Sequence, residues 1–203
     1  MKIAVVFYST YGHVLRLAEA AAEGAREVPG TEVTVYRIPE TLPRDVLEKK
    51  GALAAQEAMA GYPAATAASL EGIDGLILAS SSQYGMMTAQ TKAFLDSTGG
   101  LWMSQALEGV PAAYLTSTAT LHGGQETSAV TAYAALMHHG MIPVGLPYAW
   151  KPQLEIDGVF GGSPYSAGTV TGGTGERMAD ERELEGARYQ GRRLALIAGK
   201  LAA

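Results

Sequence analysis

Short apolar runs alternate along the chain with longer segments whose apolar residues recur at helical spacing. Ile3–Val6 is a continuous, β-branched run, which is typical of a parallel strand buried on both faces. The residues that follow carry apolar side chains at the spacing of a helix that packs on a sheet: Val14, Leu15, Leu17, Ala18, Ala21 and Ala22. This strand-then-helix pattern is repeated downstream, and it predicts an α/β domain built on a parallel sheet.

The same patterns place the remaining elements. Strands are predicted at residues 3–6, 32–37, 76–79, 112–116 and 141–145. Further helices are predicted at about 44–49, 65–70, 89–97, 126–139 and 180–201, with a break at Thr98–Gly100. Five strands that alternate with helices predict a doubly wound, five-stranded parallel sheet with helices on both faces.

One segment is longer than a connection needs to be. Residues 147–179 are rich in Gly, Ser, Thr and Pro, yet they include Tyr148, Trp150, Phe160 and Tyr165, which favour an ordered structure. We therefore expect a single domain over residues 1–203 with an insertion-type loop at about 147–179. The charge run at 176–193 is typical of a solvated helix face.

Composition excludes several classes of protein. The chain has 203 residues without a repeat, and its net charge of −5 disfavours duplex nucleic acid as a partner. It has no cysteine, which excludes disulfides, thiolate zinc sites and iron–sulfur clusters. No carboxylate completes a metal site with the histidines, and no run reaches the roughly 18 apolar residues of a membrane span. We expect a cytoplasmic protein without a metal.

The strongest candidate chemistry lies directly after the first strand. Ser9, Thr10 and Gly12 precede a helix whose unpaired N–H groups and dipole favour an anion. Neither G-x-x-x-x-G-K-[ST] nor G-x-G-x-x-G occurs in the chain, and no Lys or Arg lies between Ile3 and Val14. Neutral donors suit one terminal phosphate monoester. The alternative is an ordinary strand-to-helix turn in which Ser9 or Thr10 caps the helix.

Two more predicted strands end in hydroxyl-rich or glycine-rich loops, at 80–85 and 117–124. In an open parallel sheet the loops at the carboxyl ends lie along one edge, where ligands bind at the reversal of strand order. The three loops therefore predict one binding site.

Several motifs, taken in order, carry a resemblance to a known family. They are Tyr8–His13, Phe94–Trp102, Ser117–Thr120, Gly123–Glu126, His138–Met141, Gly161–Tyr165 and Ala187–Gly191. The ordered set resembles the WrbA-type NAD(P)H:quinone oxidoreductases, whose fold is similar to that of flavodoxin. The resemblance implies a flavodoxin-like fold, bound FMN, NADH or NADPH as hydride donor, and a homotetramer with active sites near subunit contacts.

The resemblance also implies roles for individual residues. The FMN phosphate would be held by Ser9, Thr10, Tyr11, Gly12, His13 and Val14, with Tyr11 also near the nicotinamide nucleotide. The ribityl chain and the ring would be bordered by Ser82, Gln83, Tyr84, Ser117, Thr118, Ala119, Thr120, Leu121 and His122. Trp102 would wall the substrate space, and His138 would lie at the flavin. The family commonly has Arg where this chain has Gln83, and some members have Gly in place of Ala119.

The chemistry that the resemblance implies is a ping-pong cycle. A hydride passes from the nicotinamide to flavin N5, the oxidised nucleotide leaves, and a quinone is reduced by two electrons in the same space. His138 and Tyr84 are the candidates for proton donation or for hydrogen bonds to the quinone.

Other interpretations stay open from the sequence. Trp102 taken alone is an ordinary core or interface aromatic, and His138 with His139 suits a histidine pair at a helix C-terminus. Metal binding by His122, His138 and His139 is disfavoured, because no further ligand completes the set. The alternative functions are a flavodoxin-type electron carrier and a regulatory interaction protein.

Overall fold

The computed structural model describes residues 1–202. Its strands are β1 (Lys2–Tyr8), β2 (Glu32–Arg37), β3 (Gly75–Gln83), β4 (Met86–Met87), β5 (Pro111–Thr118), β6 (Ile142–Pro143) and β7 (Ala167–Val170). Its helices are α1 (His13–Arg26), α2 (Arg44–Lys49), α3 (Leu53–Ala58), α4 (Ala89–Asp96), α5 (Gly99–Met103), α6 (Gln125–His138) and α7 (Glu181–Leu201). Single 3₁₀ turns lie at Met59–Gly61, Ala67–Leu70 and Lys151–Leu154.

The strands form one sheet in the order β2-β1-β3-β5-β6, and β7 also pairs with β5. The pairs of β1 with β2 and β3, and of β5 with β3, β6 and β7, are all parallel. The predicted doubly wound α/β fold is confirmed. Two strands were not predicted: β4, which pairs antiparallel with β3, and β7. The break predicted at Thr98–Gly100 is wrong in part, because α5 begins at Gly99.

The fifth position of the sheet is shared by two short strands. β6 pairs with the first two residues of β5, and β7 pairs with the last four, so the chain leaves this edge after Pro143 and returns to it at Ala167. The buried Gln190 of α7 spans the interruption: its Nε2 donates to the Val144 carbonyl at 2.9 Å and its Oε1 accepts from the Ala167 N–H at 2.7 Å. These bonds satisfy backbone groups that would otherwise be buried unpaired.

Tyr133 of α6 spans the same interruption from the opposite face of the sheet. Its hydroxyl lies 2.8 Å from the Tyr165 carbonyl and 3.1 Å from the Val144 carbonyl, and it accepts from the Tyr114 N–H at 3.2 Å. Burial raises the pKa of Tyr133, so the hydroxyl stays protonated and able to donate. Side chains from both helical layers therefore hold the divided strand in place.

Each face of the sheet carries its own core, as the continuous apolar runs predict. Ile3, Val5 and Phe7 of β1 point toward α1 and α7, whereas Ala4 and Val6 point toward the layer of α4, α5 and α6. Alternate residues of one central strand thus serve two separate clusters. Within residues 1–202, no helix is both long enough and apolar enough to cross a membrane.

Helices α1 and α7 touch through their backbones. A Cβ atom at Gly24 would lie 2.0 Å from the Arg188 carbonyl oxygen, and one at Gly191 would lie 2.0 Å from the Ala21 carbonyl oxygen. No side chain larger than hydrogen fits at either position without moving a helix. The two glycines therefore fix how closely α7 approaches the sheet.

The expectation of a solvated charge run at 176–193 is wrong at one position. Glu183 of α7 is 2% exposed. Its carboxylate accepts hydrogen bonds from the Gly161 N–H at 2.7 Å, the Thr169 hydroxyl at 2.8 Å and the Arg177 guanidinium at 2.8 Å. A buried, fully hydrogen-bonded carboxylate thus joins α7 to β7 and to the segment before it.

Candidate active site

A cavity of about 330 Å³ opens at the carboxyl edge of the sheet. It lies where the strand order reverses between β1 and β3, which is the position at which open α/β sheets bind ligands. Its walls come from the ends of β1, β3, β5 and β7, and the lining residues are Ser9, Thr10, Tyr11, His13, Ser81, Ser82, Gln83, Ser117, Thr118, Ala119, Thr171, Gly172, Gly173, Thr174 and Gly175. None of these side chains is a carboxylate, an ammonium or a guanidinium.

The loop between β1 and α1 offers free backbone donors to this cavity. The buried Ser9 hydroxyl accepts from the N–H groups of Gly12 at 3.0 Å and Val14 at 3.2 Å, and Gly12 adopts φ +96° at the turn. Among residues 1–202, the N–H groups of Thr10, Tyr11 and His13 have no acceptor. Ser9 therefore stabilises the turn, although the N-cap residue of α1 is Gly12, and the remaining donors suit an anion.

His13 links this loop to a wall that was not predicted. Its Nε2 lies 3.0 Å from the Gly175 carbonyl oxygen, across 162 residues of sequence. The Thr171–Gly175 loop follows β7 and lines the cavity. The sequence signal for this wall is the run Gly172-Gly173-Thr174-Gly175, but the sequence predicts a loop where the structure has β7 before it.

A buried polar group lies directly behind the first loop. The Tyr8 hydroxyl donates to Glu40 at 2.6 Å and accepts from the Thr10 hydroxyl at 3.5 Å. Burial, followed by the hydrogen bond to Glu40, raises the pKa of Tyr8. Burial alone would raise the pKa of Glu40, but the hydrogen bonds to its carboxylate lower it. The pair therefore presents Thr10 with a neutral phenol and keeps the negative charge on Glu40.

The second predicted loop contributes three residues to the cavity and directs a fourth away from it. Ser81, Ser82 and Gln83 line the wall, whereas Tyr84 sits in the β3–β4 turn with φ +52° and is 96% exposed. Tyr84 and Gly85 both have positive φ, as in a type I′ hairpin turn, where Asn-Gly is the usual pair. The turn holds the aromatic ring in solvent.

The third predicted loop reaches the cavity only at its beginning. Ser117, Thr118 and Ala119 line it, but Thr120, Leu121 and His122 are exposed and lie outside the lining.

Trp102 and His138 lie in a separate hollow of about 470 Å³, which shares no lining residue with the first cavity. Within one chain, therefore, the structure does not bring the predicted substrate wall to the predicted cofactor loops. Residues 1–202 contain no group of three or more His, Asp or Glu side chains that could hold a metal ion.

The same hollow contains His139, whose protonation is constrained. The Thr98 hydroxyl donates to the Leu95 carbonyl at 2.7 Å, so it accepts from His139 Nε2 at 3.1 Å and leaves Nδ1 as the unprotonated ring nitrogen. That Nδ1 is buried, and no atom of residues 1–202 is its hydrogen-bond partner. Burial, and then the neighbouring His138, lower the pKa of His139.

The chain is similar to known proteins in both sequence and fold. Residues 1–154 match the family model described as NADPH-dependent FMN reductase. An NAD(P)H dehydrogenase (quinone) from Geobacter metallireducens is 51% identical over 201 residues, which cover 99% of each chain. The chain belongs to the NAD(P)H dehydrogenase (quinone) family. A further family member, an NAD(P)H dehydrogenase (quinone) from Methanosarcina acetivorans, is 50% identical over 206 residues. The alignment covers 100% of this chain and 99% of that protein.

Solved structures agree on the fold of this family member. A flavodoxin, WrbA-like protein from Agrobacterium tumefaciens superposes with a TM-score of 0.68 at 23% identity, covering 98% of both chains. An apo NADH:FMN oxidoreductase superposes with a TM-score of 0.62 at 16% identity, covering 97% of this chain and 89% of the other. The predicted flavodoxin-like fold, family and oxidoreductase class are confirmed. The cofactors predicted from the sequence, FMN and a nicotinamide nucleotide, are those named by the family model.

Proposed function

We propose that this chain is an FMN-dependent NAD(P)H:quinone oxidoreductase that reduces quinones by two electrons in a ping-pong cycle. One observation carries the proposal: in a chain of this family, a cavity lined by neutral donors lies at the reversal of strand order. The free N–H groups of Thr10, Tyr11 and His13 fit a phosphate monoester. The same loop lacks the Lys of a triphosphate site.

In this assignment Ser9–Val14 hold the FMN phosphate, and Ser82, Gln83 and Ser117–Ala119 border the ribityl chain and ring. FMN, when bound there, would supply two-electron redox chemistry between the nicotinamide nucleotide and the quinone. The chain's own residues position the reactants. Thr10 and Ser9 orient the loop, and Gln83 offers an uncharged amide where the family commonly has Arg, so the wall contributes hydrogen bonds without a positive charge.

The position of Trp102 and His138 supports an assembly as part of the proposal. Trp102 is 52% exposed in a hollow separate from the cavity, and Met103 and Met137 beside it are 74% and 53% exposed. We propose a homotetramer in which these residues border the site of a neighbouring copy, with His138 and Tyr84 as hydrogen-bond or proton donors to the quinone. We also propose a cytoplasmic location, where NADH and NADPH are available.

The test is anaerobic oxidation of NADH and NADPH by the purified protein, with and without FMN and with benzoquinone as acceptor. The proposal expects turnover only when FMN and quinone are both present, with parallel double-reciprocal plots that indicate a ping-pong cycle. Binding of FMN without reduction by either nucleotide would refute the enzyme and favour an electron carrier.

A matched pair of variants ties the activity to the first loop. Ser9→Ala removes a hydroxyl beside the cavity that accepts hydrogen bonds from two backbone N–H groups. Ser69→Ala removes a hydroxyl outside the cavity lining, which accepts a hydrogen bond from the Thr66 N–H at 3.1 Å. We expect FMN affinity and turnover to fall only for Ser9→Ala. Equal effects of the two variants would contradict the assignment of the loop.

A further inference from the structure

We infer that Gln56 positions the phosphate-binding loop, and that it sets the preference of this chain for FMN over riboflavin. The inference rests on the proposed FMN site and adds a residue from outside the cavity. Gln56 belongs to α3, in the segment between β2 and β3, and it does not line the cavity.

The inference depends on two hydrogen bonds that the Gln56 side-chain amide donates to the loop. Gln56 Nε2 donates to the Ser9 carbonyl oxygen at 2.7 Å and to the Thr10 carbonyl oxygen at 2.9 Å. Both partners are acceptors, so only the NH₂ end of the amide can satisfy them, and the orientation of the side chain is fixed by chemistry. The residue is 7% exposed, which shields these bonds from competing water.

The backbone of Gln56 is itself held. The Arg37 guanidinium donates to the Gln56 carbonyl at 3.0 Å, and the Gln56 N–H donates to the Ala52 carbonyl at 3.0 Å. Arg37 closes β2, which pairs with β1 up to Phe7, two residues before the loop. The amide therefore reaches the loop from a rigid base.

The consequence for an anion follows from the geometry of the peptide unit. In each peptide group the C=O and the N–H point in opposite directions. Fixing the carbonyls of Ser9 and Thr10 on Gln56, outside the cavity, directs the N–H groups of Thr10 and Tyr11 the opposite way, away from Gln56. By holding these carbonyls, Gln56 leaves the N–H groups of Thr10 and Tyr11 available to a phosphate and keeps the two carbonyl dipoles away from it.

The experiment compares the affinity of the apo-protein for FMN and for riboflavin, which lacks the phosphate. Gln56→Leu removes the donors at similar size, and Gln56→Glu places a carboxylate beside the two carbonyls. We expect Gln56→Leu to weaken FMN binding by about tenfold or more, because hydrogen bonds to a charged group are lost or misaligned. Riboflavin affinity should change by less than about threefold, because it makes no phosphate contact. Gln56→Glu should weaken FMN binding further.

The matched control is Gln190→Ala, another buried glutamine that bonds to backbone but lies outside the cavity lining. It should lower thermal stability and leave the FMN-to-riboflavin affinity ratio unchanged, with all binding measured where each variant is folded. An FMN-to-riboflavin affinity ratio that is unchanged in Gln56→Leu would overturn the inference about Gln56. In that case FMN binding by the parent chain would still support the proposed function. A parent chain that binds neither flavin would refute both.

Discussion

The buried carboxylate of Glu183 provides a sharp test of how the segment before α7 is held. Glu183→Gln keeps the shape of the side chain and removes its charge. The amide nitrogen would face donors where the carboxylate now accepts bonds from Gly161, Thr169 and Arg177. The Arg177 guanidinium, whose side chain is 26% exposed, would lose its buried partner.

The magnitude follows from this geometry. Removing one partner of a buried ion pair costs about 3–5 kcal/mol, because the remaining charge stays desolvated. Arg177 retains a bond from Nη2 to Asp180 at 2.6 Å, so we expect a loss near the lower limit, about 3 kcal/mol. Against a typical stability of roughly 5–15 kcal/mol, this is a large fraction.

The assay is urea unfolding followed by circular dichroism. A loss of about 3 kcal/mol lowers the unfolding midpoint by about 1–2 M urea at an ordinary m-value. The matched control is Glu185→Gln, a 59%-exposed glutamate on the same helix, which should change stability by less than about 0.5 kcal/mol. If Glu183→Gln lowered stability no more than this control does, the argument from burial would be wrong.

Three other substitutions test a close backbone contact, a buried histidine nitrogen and the exposed tryptophan. Gly24→Ala should destabilise the folded protein by more than about 3 kcal/mol, because the added Cβ would overlap the Arg188 carbonyl oxygen. Gly61→Ala adds a Cβ in open space and should leave stability nearly unchanged. Thermal unfolding of the two variants tests the difference. The pKa of His139 is lowered in the folded state, so the stability that this neutral histidine allows above pH 6.5 is lost as the pH falls. His139→Gln should therefore flatten the acid side of a pH–stability curve. An unchanged slope would exclude this histidine. Trp102→Ala should raise the quinone KM and leave FMN affinity nearly intact, and unchanged kinetics would remove it from the site.

The sequence predicts those parts of the fold that local pattern determines. β1, β3 and β5 are continuous apolar runs, and α6 and α7 have helical spacing and clear ends, so all five elements were placed correctly to within a few residues. β7 was missed because Ala167–Val170 is short and includes Gly168, and a glycine-containing run of four has no period. Its place in the sheet depends on Gln190 and Glu183, which lie far along the chain.

The residues of the candidate site also fall into those that local sequence pattern predicts and those that depend on distant contacts. Ser9, Ser82 and Ser117 follow predicted strands, and the rule that carboxyl ends meet at one edge was enough to bring them together. The burial of Glu183 could not be read from a run of charges, because burial depends on which face of α7 meets the sheet. Gln56 left no sequence signal either, since its bonds reach a loop more than 40 residues away.

The backbone contact between α1 and α7 also determines the order in which the chain becomes protected during synthesis. Ala21 and Gly24 are made early, but the residues that cover them, Arg188 and Gly191, are made more than 160 residues later. Until then the side of α1 that packs on α7 stays exposed on the ribosome. A nascent chain that stops before residue 181 should therefore remain a client for chaperones that bind exposed apolar surface.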